Sequence, residues 1–233
     1  MSSDVLIEVD NLHVNFPTID KPVEAVRGVT FEIRKGETLG VVGESGSGKS
    51  VTSMSMLRLN DMAGAYVPEG KIYLNSERLG RIELTELDAK SIGNVRGREI
   101  GMIFQEPMTC LNPVLDIRLQ LTEALFQHLG MTAEEAEERV LTLLKRVRIP
   151  DPEAKLNQYP HNLSGGMRQR VMIAMALACG PSLLIADEPT TALDVTIQAQ
   201  ILDLIKDIQD EFNMSVLFIT HDMAVIAEMA DRV

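Results

Sequence analysis

A glycine-rich loop between an apolar run and a helix-forming run constrains this chain more than any other feature. The loop GESGSGKS, at residues 43–50, follows the apolar run ETLGVV and precedes VTSMSMLRL. This order predicts a buried strand, a tight loop and a helix. The loop matches G-x-x-x-x-G-K-[ST], in which glycines permit the turn and backbone N–H groups surround phosphate oxygens. A chain with this feature is predicted to form an α/β fold.

The loop also carries side chains that suit phosphate chemistry. Lys49 supplies a positive charge for the β- and γ-phosphates, and Ser50 supplies a hydroxyl ligand for Mg²⁺. We therefore predict that this loop binds a nucleoside triphosphate together with Mg²⁺. The predicted contact residues are Gly43, Glu44, Ser45, Gly46, Ser47, Gly48, Lys49, Ser50 and Val51.

Two later apolar runs end in residues that suit the same site. LLIADEP predicts a buried strand with Asp187 and Glu188 at its carboxyl end, where open α/β sheets bind ligands. Asp187 fits a carboxylate that organises Mg²⁺, and Glu188 fits a general base for the attacking water. SVLFITHD ends another strand with His221, for which we predict a contact with the γ-phosphate.

The remaining patterns predict one α/β core with two additions. Period-two alternation in LIEVDNLHVNF and VEAVRGVTFEI, separated by PTIDKP, predicts an antiparallel β hairpin. The stretch from about residue 106 to 163 predicts an inserted helical subdomain, within which Thr132 and Glu135 have capping-box spacing. Strands and helices then alternate, which indicates a largely parallel sheet. We predict a single domain over residues 1–233.

A second helix start, in NLSGGMRQRVMIAMALA, also favours an anion. Ser164 is predicted to be the N-cap, and Gly165 and Gly166 allow an outside group to approach free backbone N–H groups. The chain therefore has two phosphate-binding ends but only one complete pocket. The partner of the second end does not follow from these residues alone.

Charge and hydropathy exclude several functional classes. The formal net charge of −12 argues against a general binder of nucleic acid or anionic lipid, since both need a basic face. We expect no signal peptide, and no apolar run approaches the roughly 20 residues that span a bilayer. The expected protein is soluble and reaches a membrane only through a partner. Packing or surface positions are expected for Cys110, Cys179, His13, His128 and His161.

The motifs GESGSGKS, FQEP, LSGGM, LLIADEPTTALD and ITHD, in this order, resemble those of the ATPase subunits of ATP-binding cassette (ABC) transporters. The resemblance covers essentially the whole chain and implies a P-loop NTPase (RecA-like) core, with ATP and Mg²⁺ as cofactors. FQEPMTCLNP and DEPTTALDVTIQAQIL are most similar to the oligopeptide, dipeptide and nickel importer branch. This implies an ATPase that powers uptake of a small solute. Peptides are the expected solute, and nickel or another small solute is the alternative.

The resemblance also implies a partner for the second anion site. Two nucleotide-binding subunits of this family pack head to tail. Ser164, Gly165 and Gly166 would therefore contact the γ-phosphate held by a second ATPase subunit, in a homodimer or a heterodimer. Asp194 would make a further contact across that dimer. A non-transport ABC ATPase and a regulatory module without turnover are the two rival functions.

Further roles are carried over by the same resemblance. Gln105 would join Mg²⁺ and the attacking water to the helical insertion, and Met108–Asn112 would receive a short helix of a membrane subunit. Phe16 is the candidate for stacking on adenine, with core packing as the alternative. Met167 stands where the commonest signature has glutamine, and no loss of activity is expected from that.

The resemblance finally implies a location and a boundary. We expect a peripheral protein at the cytoplasmic face of the inner or plasma membrane, which works with membrane subunits and, indirectly, with a solute-binding protein. No nucleic-acid partner is expected. The chain stops at Val233, soon after His221, where members of this family continue, so a truncated fragment is expected.

Overall fold

The computed structural model describes residues 4–106, 110–191 and 194–233, which form two four-stranded sheets flanked by helices. The strands are β1 (Val5–Phe16), β2 (Val23–Arg34), β3 (Thr38–Val42), β4 (Lys71–Ser76), β5 (Gly80–Glu83), β6 (Ile100–Ile103), β7 (Leu183–Asp187) and β8 (Ser215–Thr220). One sheet is antiparallel, in the order β2-β1-β4-β5. The other has the order β3-β8-β7-β6, and all its pairs are parallel.

The helices follow the chain order that the sequence patterns predict. They are α1 (Lys49–Met56), α2 (Ala89–Gly93), α3 (Ile117–Leu129), α4 (Ala133–Arg146), α5 (Pro152–Lys155), α6 (Gly165–Leu177), α7 (Val195–Phe212) and α8 (Met223–Met229), with 3-10 turns at Leu59–Ala63 and Pro160–Asn162. Among the described residues, no helix is both long and apolar enough to cross a membrane.

The predicted hairpin is confirmed as the start of the antiparallel sheet. β1 pairs with β2 from Phe16 opposite Val23 to Val5 opposite Arg34. The alternation of buried residues is interrupted at Asn11, which has a φ of 46° at a shift in strand register. Burial resumes at Leu12 because this bulge moves the following side chains back towards the core.

The parallel sheet is buried on both faces, which explains its continuous apolar runs. All five residues of β7 and all six of β8 are buried. Along β7, Leu184 packs against the helical side of the molecule, whereas Leu183 and Ile185 pack against the antiparallel sheet. Alternate side chains of the parallel sheet thus pack into two apolar cores, one on each face. This packing on both faces fixes the position of the carboxyl ends of its strands.

The predicted helical insertion is confirmed over its described part by α3, α4 and α5. The capping box of α4 is present, since the Glu135 N–H donates to Thr132 Oγ1 at 3.3 Å and the Thr132 N–H donates to Glu135 Oε2 at 2.8 Å. Val140 and Leu144 of the same helix are fully buried. Its acidic run faces away from this apolar core, as an amphipathic helix requires.

Two local predictions were incomplete. The helix after the glycine-rich loop was predicted to continue through LRL, but it ends at Met56 because Arg58 adopts a φ of 53°. The side chain of Arg96 then donates to the carbonyl of Leu57 and stabilises this ending. The short elements β5 and α2 were not predicted, since four or five residues carry little periodicity.

Candidate active site

The glycine-rich loop leaves the carboxyl end of β3 and opens into α1. Gly46 and Gly48 have φ values of 81° and 91°, which side chains with a Cβ rarely adopt. A Cβ on Gly48 would also lie 2.6 Å from the carbonyl oxygen of Ala25. The loop therefore requires glycine at both positions. It leaves the first N–H groups of α1 available to an anion.

The ammonium group of Lys49 lies against the loop itself. Its Nζ donates to the carbonyl oxygens of Gly43 and Glu44, both at 2.8 Å. This arrangement keeps a positive charge beside the loop N–H groups. Charge and backbone dipoles thus favour the same ligand, a group with several negative oxygens.

Ser50 connects the loop to the end of β7. Its hydroxyl donates to Oδ1 of Asp187 at 3.1 Å, and Asp187 is only 2% exposed. Burial raises the pKa of Asp187, and the charge of Glu188 raises it further, while the Ser50 hydrogen bond and Lys49 oppose the change. A hydroxyl and a carboxylate this close are oxygen ligands of the kind that Mg²⁺ prefers.

Glu188 is the centre of a polar cluster at the same sheet edge. Its Oε2 accepts hydrogen bonds from Gln105 Nε2 at 3.1 Å and Thr191 Oγ1 at 2.9 Å, and it lies 3.4 Å from His221 Nδ1. Glu188 has a φ of 47°, and its N–H donates to Ile219 O at 2.9 Å. The strained backbone and three side-chain partners hold one carboxylate oxygen at a defined point.

Thr191 was missed by sequence reasoning. Its hydroxyl reaches Glu188 because the two residues close a turn, in which the Thr191 N–H donates to the Glu188 carbonyl at 3.2 Å. A hydroxyl three residues after a functional carboxylate is the signal that could have identified it. Polar residues are common in such turns, so this signal alone is weak.

The second anion-binding end is open. Ser164 is the N-cap of α6, as predicted, and its Oγ accepts from the Met167 N–H at 3.3 Å. Ser164 and Gly165 are exposed, and a Cβ on Gly165 would meet nothing within 4 Å. Among the described residues, no hydrogen bond joins Ser164 to the glycine-rich loop. The structure thus brings Lys49, Asp187 and the Glu188 cluster to one edge and leaves Ser164 outside it.

The remaining predicted residues lie around this edge. Phe16 ends β1, is half-buried and packs against the apolar core, so core packing and adenine stacking both stay open. Asp194 is exposed and caps α7 by accepting from the Ile197 N–H at 3.0 Å. Of the predicted docking segment, Met108 and Thr109 lie outside the described residues.

The cysteines and histidines set aside at the sequence level fit their expected packing or surface positions. Cys179 is buried, and burial raises the pKa of its thiol. Cys110 is half-buried. His128 is partly buried, which lowers its pKa, and the ring of His161 stacks on Tyr159. No group of three or more metal-ligating His, Cys, Asp or Glu side chains occurs among the described residues.

A parallel sheet with a glycine-rich loop after one strand and an acidic pair after another defines the class of P-loop nucleotide-binding proteins. Residues 26–191 match the family model described as ABC transporter. The chain therefore belongs to the ABC transporter family.

Individual relatives support this conclusion. The chain is 55% identical over 228 residues to the oligopeptide transport ATP-binding protein OppD of Bacillus subtilis (strain 168), covering 98% of this chain and 62% of the relative. It is 54% identical over 228 residues to the dipeptide transport ATP-binding protein DppD of the same organism, covering 98% and 67%. This chain thus spans about three fifths to two thirds of the length of these relatives.

A solved structure confirms the fold class. The dimeric post-hydrolysis state of the ATP-binding cassette MJ0796, bound to ADP and Pi, matches with a TM-score of 0.81 and 30% identity, covering 97% of this chain and 92% of that one. The predicted P-loop core with an antiparallel β subdomain and a helical region is therefore the ABC cassette fold.

Proposed function

We propose that this chain is the ATP-hydrolysing subunit of an ABC importer of di- or oligopeptides. The observation that carries the ATPase assignment is the convergence of Gln105, Thr191 and His221 on one oxygen of Glu188, beside the Lys49 loop. This cluster has the groups that hydrolysis of a phosphoanhydride needs: a positive charge, metal ligands and a base. The peptide assignment is supported by the oligopeptide and dipeptide transport relatives.

In the proposed reaction the loop binds ATP, and Lys49 neutralises charge on the β- and γ-phosphates. Ser50 and Asp187 would hold Mg²⁺, with Gln105 as a further ligand, and the ion would supply charge stabilisation. Glu188 takes the proton of the attacking water, a role worth roughly 10²–10⁴ in rate. His221 contacts the γ-phosphate.

The open end of α6 is proposed to serve a second ATPase subunit. Its exposed N–H groups and Ser164 would contact the γ-phosphate held by the partner's loop, with Asp194 contacting across the same interface. The matching structure is a dimer bound to ADP and Pi, which supports pairing of this chain with a second ATPase subunit. Two such contacts per dimer enclose two nucleotides, so binding of ATP drives closure.

Coupling to transport is assigned to the start of the helical insertion. We propose that Met108–Asn112 receives a helix of a membrane subunit, which would place the chain at the cytoplasmic face of the membrane. Within the described part of this segment Leu111 is buried and Cys110 is half-buried. A partner contact there would reach Gln105 through a few intervening residues.

Two measurements test the proposed function. Steady-state phosphate release from ATP should require Mg²⁺ and stop when EDTA is added. Co-purification from the native host should yield membrane subunits and a second ATPase subunit, identified by mass spectrometry, and the reconstituted complex should take up a labelled dipeptide. Absence of ATP turnover contradicts the ATPase assignment. ATP turnover together with uptake of Ni²⁺ but not of a dipeptide contradicts only the assignment of peptides as the solute.

A further inference from the structure

A buried amide joins the two anion-binding regions within one chain. Gln169 lies five residues after Ser164 on α6, about one and a half helical turns further on. It is only 1% exposed, and its Nε2 donates to the carbonyl oxygen of Pro189 at 2.5 Å. Pro189 directly follows Glu188. The amide therefore connects the helix that carries Ser164 to the backbone that carries the proposed base.

An amide at this position needs a reason beyond packing. Val171 and Ile173, in the next helix turn, are buried and apolar. Burying an amide is costly unless its hydrogen bonds are made, and leucine would fill a similar volume without that cost. The directed bond to Pro189 is the property that glutamine has and leucine lacks.

Two further contacts tie α6 to the segment after β7. A Cβ on Gly166 would lie 3.4 Å from Cγ2 of Ile197, in the first turn of α7. The buried guanidinium of Arg170 donates to Gln200 Oε1 at 2.9 Å. The first turns of α6 are thus in contact with both the Glu188 turn and α7.

We propose that Gln169 is a positioning residue that couples the two nucleotide sites of the dimer. This inference rests on the proposed function, in which the partner's γ-phosphate contacts Ser164. A shift of α6 at that contact moves Pro189 through the Gln169 amide. Glu188 has a φ of 47° and its N–H is bonded to the Ile219 carbonyl, so a shift of the adjoining Pro189 would reorient the Glu188 carboxylate. One subunit's ATP thereby sets the geometry of the other subunit's base.

The first test is Gln169→Leu, which keeps the volume and removes the donor. ATP affinity of the single subunit should stay within about twofold of the wild type, whereas kcat should fall by about 10–100-fold, the scale of a small misplacement of a catalytic group. The Hill coefficient for ATP should fall from its wild-type value towards about 1. Glu188→Gln combined with Gln169→Leu should still dimerise with ATP.

A matched control separates positioning from stability. Gln209 of α7 is half-buried at the opposite end of the parallel strands, where its Nε2 donates to Gly36 O at 3.1 Å and its Oε1 accepts from Thr38 Oγ1 at 2.8 Å. Gln209→Leu should lower the melting temperature about as much as Gln169→Leu. The kcat and the Hill coefficient of Gln209→Leu should equal those of the wild type.

A pH profile gives an independent readout. In Gln169→Glu a carboxylate would face the Pro189 carbonyl oxygen, and protonation would restore a donor. Because burial raises the pKa of a carboxyl group, kcat of this variant relative to wild type should rise as the pH falls from about 8 to about 6. Gln169→Leu should show no such recovery.

The outcomes separate the two proposals. Wild-type protein without ATP turnover overturns the proposed function. Turnover in the wild type, with unchanged kcat and Hill coefficient in Gln169→Leu, overturns only the role of Gln169. A wild-type Hill coefficient of about 1, equal effects of the two leucine variants on kcat, or no recovery of Gln169→Glu at low pH also overturns that role.

Discussion

The two anion-binding ends of this chain are built in opposite ways. The loop before α1 is joined to other parts of its site by side-chain hydrogen bonds: Nζ of Lys49 donates to the carbonyl oxygen of Gly43, and the Ser50 hydroxyl donates to the buried carboxylate of Asp187. The start of α6 is open, since the Ser164 hydroxyl accepts from the Met167 N–H in its own first turn and both Ser164 and Gly165 are exposed. A helix N-terminus by itself favours an anion by roughly 0.3–2 kcal/mol. In the proposed function, the first end holds a nucleotide and the second contacts a nucleotide held by the partner subunit.

The same contrast appears in the residues behind each end. Behind the loop, Asp187 and Glu188 are polar, and other polar side chains make hydrogen bonds to both of them. Behind Ser164, α6 passes directly into the core through buried residues such as Val171 and Met172. An exposed tip on a helix whose later turns are packed in the core is suited to contact another molecule. Substitutions at the two ends should therefore have different consequences.

The largest expected effect is at the glycine-rich loop. Lys49→Ala removes the charge that faces the β- and γ-phosphates, so ATP binding should weaken and phosphate release should fall to background. Lys35→Ala is the control, because Lys35 pairs with Glu77 at the surface and should be replaceable without loss of turnover. Unchanged turnover in Lys49→Ala would contradict the assignment of the loop.

The next effect separates binding from chemistry. Glu188→Gln keeps the size and hydrogen-bonding capacity of the side chain but removes the base, so turnover should fall by roughly 10²–10⁴ while ATP still binds. On a sizing column with ATP and Mg²⁺ this variant should elute as a dimer, and it should return to a monomer without nucleotide. A variant that hydrolyses ATP at the wild-type rate would exclude Glu188 as the base.

A second substitution in the same background tests the open end. Ser164→Arg added to Glu188→Gln should place bulk at the α6 N-terminus and abolish the ATP-dependent dimer, while binding of ATP to the single subunit remains. Thr132→Arg is the matched control, since Thr132 is the N-cap of α4 and its loss should cost only about 1 kcal/mol of stability. Dimerisation of the Ser164→Arg double variant would show that this end does not contact the partner's nucleotide.

The smallest expected effect concerns stability without nucleotide. Because burial raises the pKa of Asp187 in the folded state, its ionisation destabilises the nucleotide-free protein as the pH rises through that pKa. Asp187→Asn should therefore raise the free energy of unfolding at neutral pH, by about 0.5–2 kcal/mol. The gain should vanish at acidic pH, where the wild-type carboxyl is already neutral. Thermal unfolding of the wild type and Asp187→Asn at neutral and at acidic pH measures the gain in stability. An equal gain at the two pH values would contradict the prediction.

Much of the candidate site could be predicted from local sequence. Gly48, Lys49 and Ser50 stand in a loop whose spacing and flanking elements are readable within a dozen residues. Thr191 and Gln169 could not be found in this way. Their hydrogen bonds to Glu188 and Pro189 depend on a turn geometry and on the packing of α6 against the segment after β7. Neither leaves a periodic signal.

The sequence by itself determined the elements and their order. Alternation in β1 and β2, the glycines that need positive φ, and the N-caps Thr132 and Ser164 act over a few residues, so they can be recognised without a fold. The tertiary structure alone decided which oxygen of Glu188 is held, how far Asp187 is buried and that Gln169 reaches Pro189. These properties depend on distances between residues far apart in the chain, which arise only when the sheet and helices pack.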